Sequence, residues 1–475
     1  MITVIIISLG VNMFVNRVSE LALLNNLFRS GKAELIVLSG RQRVGKTEFL
    51  SNFCKDKKSI FFLCDLGSEI LMRTSLSFNI NQVLFGTDRI HAVFNTWEDV
   101  FQALGKAAEG ERLVVVLDEF PNLVSAHPEI VPILLTMWNQ TLQNANLLLI
   151  LSGSEIERMQ TIIPQLNMGM PGNSIHHYFL EPLSFKQARL FFQNYEEQDQ
   201  VRAYATYGGT PAYLSVIDPQ TSLQENILNT ILNRETFLYD EARYVLQQEI
   251  REPRQYFAIL HAIATGKTRL NEIKQATGMD GAHVYLDALR NLHLIERIVP
   301  VTESQPDKSR RGLYRIKDHY LRFWFRFVLP NRSLLERAVG RLVLETQILP
   351  EIDHFSALAF EEICHQYFWD IGITGRLPFF PQSIGKWWDN QNKIDLVILG
   401  DQMAELVDCK WSNQALGSND LMDLERKAEL VRPDLPRHQI RFGLCSRSGF
   451  TRQLVEIAHQ RKDVGLFSLP MILKG

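Results

Sequence analysis

The chain has few cysteines, and their spacing excludes the roles by which cysteine usually holds a fold together. There are five among 475 residues, an odd number, and none falls into the paired spacing of a zinc site. We therefore expect reduced thiols in a cytoplasmic protein, with neither a disulfide framework nor structural zinc. The five are Cys54, Cys64, Cys364, Cys409 and Cys445.

A long hydrophobic run is also missing. Residues 1–8 are apolar, but they are too few to span a bilayer. They also lack the basic residues and the small-residue cleavage pattern of a signal peptide. We therefore expect no membrane partner. Met13 is a candidate natural start, which would make residues 1–12 either an upstream artefact or an added edge strand.

A strong charge of either sign is absent. The formal net charge of −3 argues against a globally basic nucleic-acid coat, so any nucleic-acid surface must be local. The contents of 46% hydrophobic and 22% charged residues are typical of a folded, soluble protein. The length predicts about three domains. Internal repeats and low-complexity tracts are absent as well.

The most informative motif lies between a predicted strand at residues 34–39 and a predicted helix at residues 47–53. It fits the P-loop pattern of glycine, four residues, then Gly-Lys-Thr. In such a loop backbone N–H groups surround phosphate oxygens, the lysine reaches the β- and γ-phosphates, and the threonine hydroxyl ligates Mg²⁺. The motif predicts ATP and Mg²⁺ as cofactors; a Gly-rich surface turn is the alternative. The predicted nucleotide-binding residues are Gly40, Arg41, Gln42, Arg43, Val44, Gly45, Lys46 and Thr47.

Two later strands end in candidate catalytic residues. The β-branched run at residues 113–117 is followed by Asp118 and Glu119. We expect Asp118 to hold the Mg²⁺ shell and Glu119 to polarise an attacking water. The alternative is an acidic pair that merely starts a solvated loop. The apolar run at residues 147–151 ends at Ser152, whose hydroxyl either senses the γ-phosphate or belongs to an ordinary strand-to-loop turn.

Residues 251–330 combine helix-turn-helix spacing with local positive charge. Three short amphipathic helices precede two strands that flank a basic loop, which is the order of a winged helix. The segment holds 14 Lys and Arg against 8 Asp and Glu, which favours contact with duplex DNA phosphates. The alternative is a packing module between domains, because the candidate recognition helix has a single basic residue. The predicted DNA contacts are Lys308, Arg310 and Arg311.

The C-terminal region carries acids in the pattern of a PD-(D/E)xK nuclease. Asp395 lies within an apolar predicted strand, and the next strand presents Asp408 and Lys410 on one face. Two such carboxylates bind a divalent metal that prepares water, and the lysine supports the nucleophile or the developing charge. Asp395 and Asp408 are thus predicted metal ligands, while an ordinary charged hairpin is the alternative.

A third catalytic carboxylate is expected from the preceding helix, at residues 357–369. A rotation of about 100° per residue places Glu361 on the flank of its apolar face and Glu362 in solvent. We therefore predict Glu361 as the third acid.

Several motifs together resemble the archaeal ATPase family of prokaryotic AAA+/STAND-type proteins. The resemblance implies a P-loop ATPase core, a winged-helix segment and a C-terminal domain of uncharacterised function that is thought to have a restriction-endonuclease-like fold. The motifs are residues 14–21, the P-loop, Asp118–Pro121, 208–211, 312–318 and 321–327, and for the C-terminal domain 385–389, 394–395 and 409–411.

The chain departs from this family at one position. Members tend to carry Leu-Tyr-Gly-Arg before the strand that leads to Glu-Pro-Leu, and the position of that arginine is Asn173 here. If the arginine stabilises transition-state charge, its loss slows hydrolysis by orders of magnitude and leaves nucleotide binding intact.

The sequence thus predicts an α/β protein with an AAA+-like P-loop NTPase core, a helical lid, a winged helix-turn-helix and a PD-(D/E)xK-like domain. The leading hypothesis is slow ATP hydrolysis that positions or licenses the nuclease-like domain on DNA. The rival is a nucleotide-dependent switch or interaction protein without nuclease activity; self-association into a homo-oligomer stays open. The expected domains are 14–180 (ATPase core), 181–250 (lid), 251–330 (winged helix), 331–355 (helical linker) and 356–475 (nuclease-like).

Overall fold

A computed structural model describes residues 17–86, 93–170, 175–250 and 252–474. The expectations for residues 1–12, Met13 and Asn173 therefore lie outside the described residues. The chain divides into two units, residues 1–181 and 182–475.

Unit 1 alternates strands and helices, as the sequence predicts. Its strands form one parallel sheet in the order β2-β3-β4-β1-β5. The elements are α1 (Val18–Arg29), β1 (Glu34–Ser39), α2 (Lys46–Cys54), β2 (Ser59–Leu63), α3 (Glu69–Phe85), α4 (Trp97–Ala107), β3 (Leu113–Asp118), α5 (Phe120–Ala126), α6 (Ile130–Gln140), β4 (Leu147–Gly153), α7 (Ile156–Gly169) and β5 (Ile175–Phe179).

The central strands of unit 1 are apolar along their whole length because helices cover both faces of the sheet. Along β1, Ile36 and Leu38 pack in one core with Phe49 of α2. The alternate residue Val37 packs in a second core with Phe101 of α4. Parallel strands end at the same edge, so the residues that follow β1, β3 and β4 meet there.

Unit 2 begins with helices and continues into two further sheets. Its elements are α8 (Phe185–Ala188), α9 (Glu197–Tyr207), α10 (Pro211–Leu214), α11 (Leu223–Thr230), α12 (Phe237–Glu249), α13 (Arg254–Ala264), α14 (Leu270–Thr277), α15 (Ala282–Asn291), β6 (Ile295–Ile298), β7 (Leu313–Ile316), α16 (His319–Phe323), α17 (Leu329–Leu335), α18 (Gly340–Val343), α19 (Ile352–Ile373), β8 (Ser383–Trp388), β9 (Lys393–Leu399), β10 (Met403–Lys410), α20 (Ser418–Val431), β11 (Gln439–Ser446), α21 (Arg452–Gln460), β12 (Val464–Ser468) and α22 (Leu469–Lys474). Single π-helical turns follow α16 and α18.

The double-glycine turn between α9 and α10 has a steric cause. A Cβ on Gly209 would lie 1.9 Å from the Leu183 carbonyl oxygen, so only glycine allows this approach. The Leu183 N–H donates to the Gly209 carbonyl at 2.7 Å, which ties the two segments together. Pro211 then opens α10, where a missing N–H costs nothing.

Helices α13, α14 and α15 are followed by the antiparallel pair β6 and β7. Each helix turns an apolar stripe inward, represented by the buried residues Ile259, Ile273 and Leu286. Gly278 ends α14 in the left-handed conformation, with φ +68°. The loop between the strands contacts the C-terminal sheet, where the Val301 N–H donates to the Lys386 carbonyl at 2.8 Å.

The C-terminal sheet has the order β12-β11-β10-β9-β8. Strand β9 runs antiparallel to both β8 and β10, whereas β11 and β12 run parallel to β10. Helix α20 covers one face with Leu424 and Val431, which join Leu406 and Val397 in a single core. The segment from Tyr320 to Phe325 is also buried. None of the described helices is both long and apolar enough to cross a membrane.

Candidate nucleotide site and carboxylate clusters

The P-loop connects β1 to α2 at the carboxyl edge of the first sheet. Two of its residues adopt left-handed backbone conformations, Arg43 with φ 66° and Gly45 with φ 85°. Such turns direct consecutive amides inward, which makes an anion cradle at the N-terminus of α2. Gly40 is required at the entry because a Cβ there would lie 2.8 Å from the Leu180 carbonyl oxygen.

The Lys46 ammonium lies inside this loop. It donates to the carbonyl oxygens of Gly40 at 2.8 Å and Arg41 at 3.2 Å, and to Ser154 Oγ at 2.8 Å. Lys46 is only 4% exposed. These three oxygens hold the Lys46 ammonium inside the loop. A bound phosphate oxygen would replace them as the hydrogen-bond acceptor.

The predicted magnesium ligands are in direct contact. Thr47 Oγ1 donates to Asp118 Oδ2 at 2.7 Å, and Asp118 is fully buried at the end of β3. The other carboxylate oxygen accepts from Ser152 Oγ and, at 3.2 Å, from the Glu119 N–H. A hydroxyl and a carboxylate at this spacing are the hard oxygen donors that Mg²⁺ prefers, so the residues present fit the ion.

Glu119 is held in an unusual backbone conformation at the start of α5, with φ 53°. Its side chain accepts from the Ser154 N–H at 3.0 Å and from Ser154 Oγ. Ser154 Oγ therefore accepts from Lys46 and donates to Glu119. The sequence-based prediction chose Ser152 and missed Ser154. Side chains two residues apart at the end of a strand lie on the same face, so the sequence could have suggested both serines.

Arg17 is a second residue that the site prediction missed. It is only 3% exposed and donates to the carbonyl oxygens of Val44 at 2.8 Å and Glu181 at 3.0 Å. Burial lowers the pKa of Arg17, against the raising effect of Glu20 at 3.2 Å. This guanidinium fixes the backbone of the P-loop to the segment that follows β5.

In the C-terminal sheet, Glu361 of α19 and Asp395 of β9 share a lysine. Lys393 Nζ lies 3.5 Å from Glu361 Oε1 and 3.0 Å from Asp395 Oδ1. Glu361 also pairs with Lys386, and Asp395 Oδ2 accepts from the Cys409 N–H at 2.9 Å. Burial raises the pKa of Asp395, but the neighbouring lysines and the Cys409 N–H outweigh it and lower the pKa overall.

Asp408 of β10 forms a separate group with two other lysines. Its Oδ2 lies 2.8 Å from Lys427 Nζ and 3.3 Å from Lys410 Nζ. Lys427 also pairs with Asp423 at 2.8 Å. The buried Asp408 Oδ1 has no hydrogen-bond partner among the described residues.

Among the described residues, Glu361, Asp395 and Asp408 do not form a set whose ligand atoms all lie within 4.8 Å of one another. In the part of the chain that the structure describes, one set of three potential ligand side chains has its atoms within 4.8 Å of one another, and it consists of cysteines. Lysine ammoniums accompany Glu361, Asp395 and Asp408, and they neutralise charge that a divalent cation would otherwise neutralise.

The prediction that Glu362 faces solvent was wrong. Its side chain is 26% exposed, forms an ion pair with His319 Nε2 at 3.2 Å and accepts from the Tyr204 hydroxyl at 3.1 Å. Burial alone would raise its pKa, but His319, Arg315 and Tyr204 lower it to about 2. A single apolar stripe did not describe α19, because α9 and α16 cover a second face of this helix.

The predicted DNA contacts differ in their surroundings. Lys308 and Arg310 are exposed. Arg311 instead lies 2.7 Å from Glu303 and donates to the Trp388 carbonyl at 3.1 Å. Arg311 thus joins the β6–β7 loop to the C-terminal sheet.

Comparison with known proteins supports an ATPase domain in the N-terminal part of the chain. Residues 14–217 match the family described as an ATPase domain predominantly from Archaea. The chain carries an archaeal-type ATPase domain. An ATPase domain implies nucleotide binding. Residues 324–424 match a second family, described as archaeal and bacterial proteins of unknown function.

Two similar proteins extend the comparison over most of the chain. An uncharacterized protein of Methanocaldococcus jannaschii is 29% identical over 427 residues, which cover 88% of this chain and 92% of the relative. A Walker-type ATPase of Pyrococcus abyssi is similar in structure, with a TM-score of 0.50 and 20% identity, covering 66% of this chain and 96% of that one. The structural likeness supports the P-loop ATPase fold, and the function of the C-terminal sheet stays open.

Proposed function

We propose that this ATPase binds Mg²⁺·ATP at the P-loop, hydrolyses it slowly, and uses the nucleotide state as a conformational switch for its C-terminal domain. The observation that carries the proposal is the contact of Thr47 Oγ1 with the buried Asp118 Oδ2 at 2.7 Å, beside the Lys46 ammonium. Two strands of the sheet, β1 through the P-loop and β3 directly, deliver these groups to one edge, where a triphosphate would meet them together.

Each residue has a defined task in this proposal. Bound Mg²⁺·ATP supplies an activated phosphoanhydride whose transfer to water needs charge stabilisation and a positioned nucleophile. Lys46 stabilises charge on the β- and γ-phosphates, and Thr47 with Asp118 holds the metal shell. Glu119, fixed by Ser154, accepts the proton of the attacking water. Asn173 in place of the family's arginine supports slow turnover.

We propose that residues 251–330 form a winged helix and that the C-terminal domain is nuclease-like in fold but does not cut DNA. The order of three helices and an antiparallel pair supports the first statement. The exposed Lys308 and Arg310 support contact of the wing with duplex DNA. The lysines that pair with Glu361, Asp395 and Asp408 support binding without cleavage.

Metal-dependent DNA cleavage is the second candidate function. It is favoured by Asp395 on β9 and the Asp-x-Lys motif on the antiparallel neighbour β10. It is also favoured by the buried Asp408 Oδ1, which has no hydrogen-bond partner among the described residues. A divalent cation would satisfy that oxygen.

Calorimetry of the full chain tests nucleotide binding. We expect saturable ATP uptake in the presence of Mg²⁺, lost in Lys46→Ala and unchanged in the control Lys106→Ala, whose side chain is exposed on α4. Unchanged uptake by Lys46→Ala would refute the proposed site.

Incubation with supercoiled DNA separates the two candidate functions. The full chain is tested with Mg²⁺ or Mn²⁺, with and without ATP, beside Asp395→Ala, Lys410→Ala and the control Asp401→Ala in the exposed β9–β10 turn. ATP binding without nicking supports the switch. Nicking by the wild type that is lost in Asp395→Ala and Lys410→Ala, and kept in Asp401→Ala, establishes the nuclease.

A further inference from the structure

Three of the five cysteines converge in the C-terminal sheet, although they are far apart in sequence. Cys364 belongs to α19, Cys409 to β10 and Cys445 to β11, and the last two are register partners on adjacent parallel strands. Cys364 and Cys445 are 0% exposed and Cys409 is 7% exposed. The three sulfur atoms lie within 4.8 Å of one another.

We propose that these three thiols bind one soft monovalent metal ion of the Cu(I) class in a three-coordinate site. Thiolates are the soft ligands that select Cu(I) over the harder ions which carboxylates bind. Three sulfur atoms, each about 2.3 Å from a central ion in one plane, are about 4.0 Å apart. The upper limit of 4.8 Å on the separation of the three sulfur atoms is compatible with that geometry.

The number of ligands distinguishes this site from a zinc site. Structural zinc takes four ligands in a tetrahedron. Among the described residues no histidine, fourth cysteine or carboxylate joins the group within the same 4.8 Å limit. The chain thus offers three soft ligands in a water-excluded position, which suits a three-coordinate monovalent ion.

The burial of the three sulfur atoms also favours a bound cation. A thiolate that is removed from water is costly unless a positive charge accompanies it. Loading therefore releases the three thiol protons to solvent as three metal–sulfur bonds form. The ion enters and stays as Cu(I), so no electron is transferred.

Anaerobic titration of the reduced, full-length protein with Cu(I), against a coloured Cu(I) chelator, tests the proposal. We expect the wild type to withhold one equivalent from the chelator even in excess Mg²⁺. The double variant Cys54→Ser/Cys64→Ser should keep that equivalent, since both cysteines lie in unit 1, and Cys445→Ser should lose it. An equivalent retained by Cys445→Ser, or none withheld by the wild type, would overturn the proposal.

A second measurement needs no variant, which matters because Cys445→Ser could disturb the sheet. X-ray absorption at the copper edge of the loaded wild type reports the neighbours of the ion directly. Three sulfur neighbours without nitrogen or oxygen are expected. Two sulfurs, or any nitrogen or oxygen ligand, would place the ion elsewhere and refute the site.

Discussion

Removal of the Ser154 hydroxyl is the most direct test of the proposed chemistry. It accepts a hydrogen bond from Lys46 at 2.8 Å and donates to Glu119, so Ser154→Ala removes both contacts together. Lys46 keeps the carbonyl oxygens of Gly40 and Arg41 as partners. Nucleotide affinity should therefore change little, while the Glu119 carboxylate should be less firmly held in position.

The expected size of the effect follows from the contacts that remain. A hydrogen bond to a charged group contributes about 1.5–3 kcal/mol, and 1.4 kcal/mol corresponds to a factor of ten in rate. The Ser154 N–H still holds Glu119 Oε2 at 3.0 Å, so the carboxylate stays partly fixed. We therefore expect kcat for ATP hydrolysis to fall by about 10- to 100-fold.

Phosphate release at saturating ATP measures kcat, and calorimetry measures the ATP affinity of the same variant. Ser125→Ala is the matched control, because it removes a serine hydroxyl from α5 that donates to the Pro121 carbonyl. Unchanged or faster hydrolysis in Ser154→Ala would refute the reasoning, because Ser154 would then not hold Glu119 in its working position.

Three further predictions concern the stability of the fold at Glu362 and Asp408 and the binding of ATP by the P-loop. The partners of Glu362 lower its pKa from 4.5 to about 2, so they stabilise the fold by about 3 kcal/mol above pH 4.5. This stabilisation is lost as the pH falls through 4 toward 2. The urea stability of Glu362→Gln should accordingly approach that of the wild type in acid. Lys427→Met leaves the buried Asp408 with Lys410 alone and should destabilise unit 2 by about 3 kcal/mol, seen by tryptophan fluorescence in urea. Arg17→Met frees the P-loop backbone and should weaken ATP binding about tenfold in calorimetry.

Each of these three predictions has an outcome that would contradict it. A gap between wild type and Glu362→Gln that is constant from pH 6 to pH 3 would show that the carboxylate is not stabilised by its partners. Wild-type urea stability in Lys427→Met would show that Lys427 is dispensable to Asp408. ATP affinity unaffected by Arg17→Met would mean that the P-loop holds its conformation without the guanidinium.

Local patterns allowed much of the fold to be predicted. The apolar runs at residues 34–39, 113–117 and 147–151 became β1, β3 and β4, because a parallel strand covered on both faces must be apolar throughout. The three short helices expected in residues 251–330 are present as α13 to α15, since turn residues and amphipathic spacing act over short distances. The β9–β10 hairpin was predicted on the same grounds.

Such local patterns could not predict contacts between segments that are far apart in sequence. Ser154 was overlooked because its partners, Lys46 and Glu119, reach it only through the order of strands in the sheet. The cysteines were interpreted as isolated thiols because their spacing in sequence carries no sign that β10 and β11 are neighbours. Glu362 was placed in solvent because one helix face was assumed to be the only buried one.

The sequence by itself therefore determined which segments form the sheet of unit 1 and which loop takes the P-loop conformation, since both depend on the conformations of a few consecutive residues. Tertiary structure alone decided which side chains meet: the serine that joins Lys46 to Glu119, the lysines that neutralise Asp395 and Asp408, and the three converging thiols. The physical reason is that strand order and helix packing bring together residues whose separation along the chain carries no information about their distance in space.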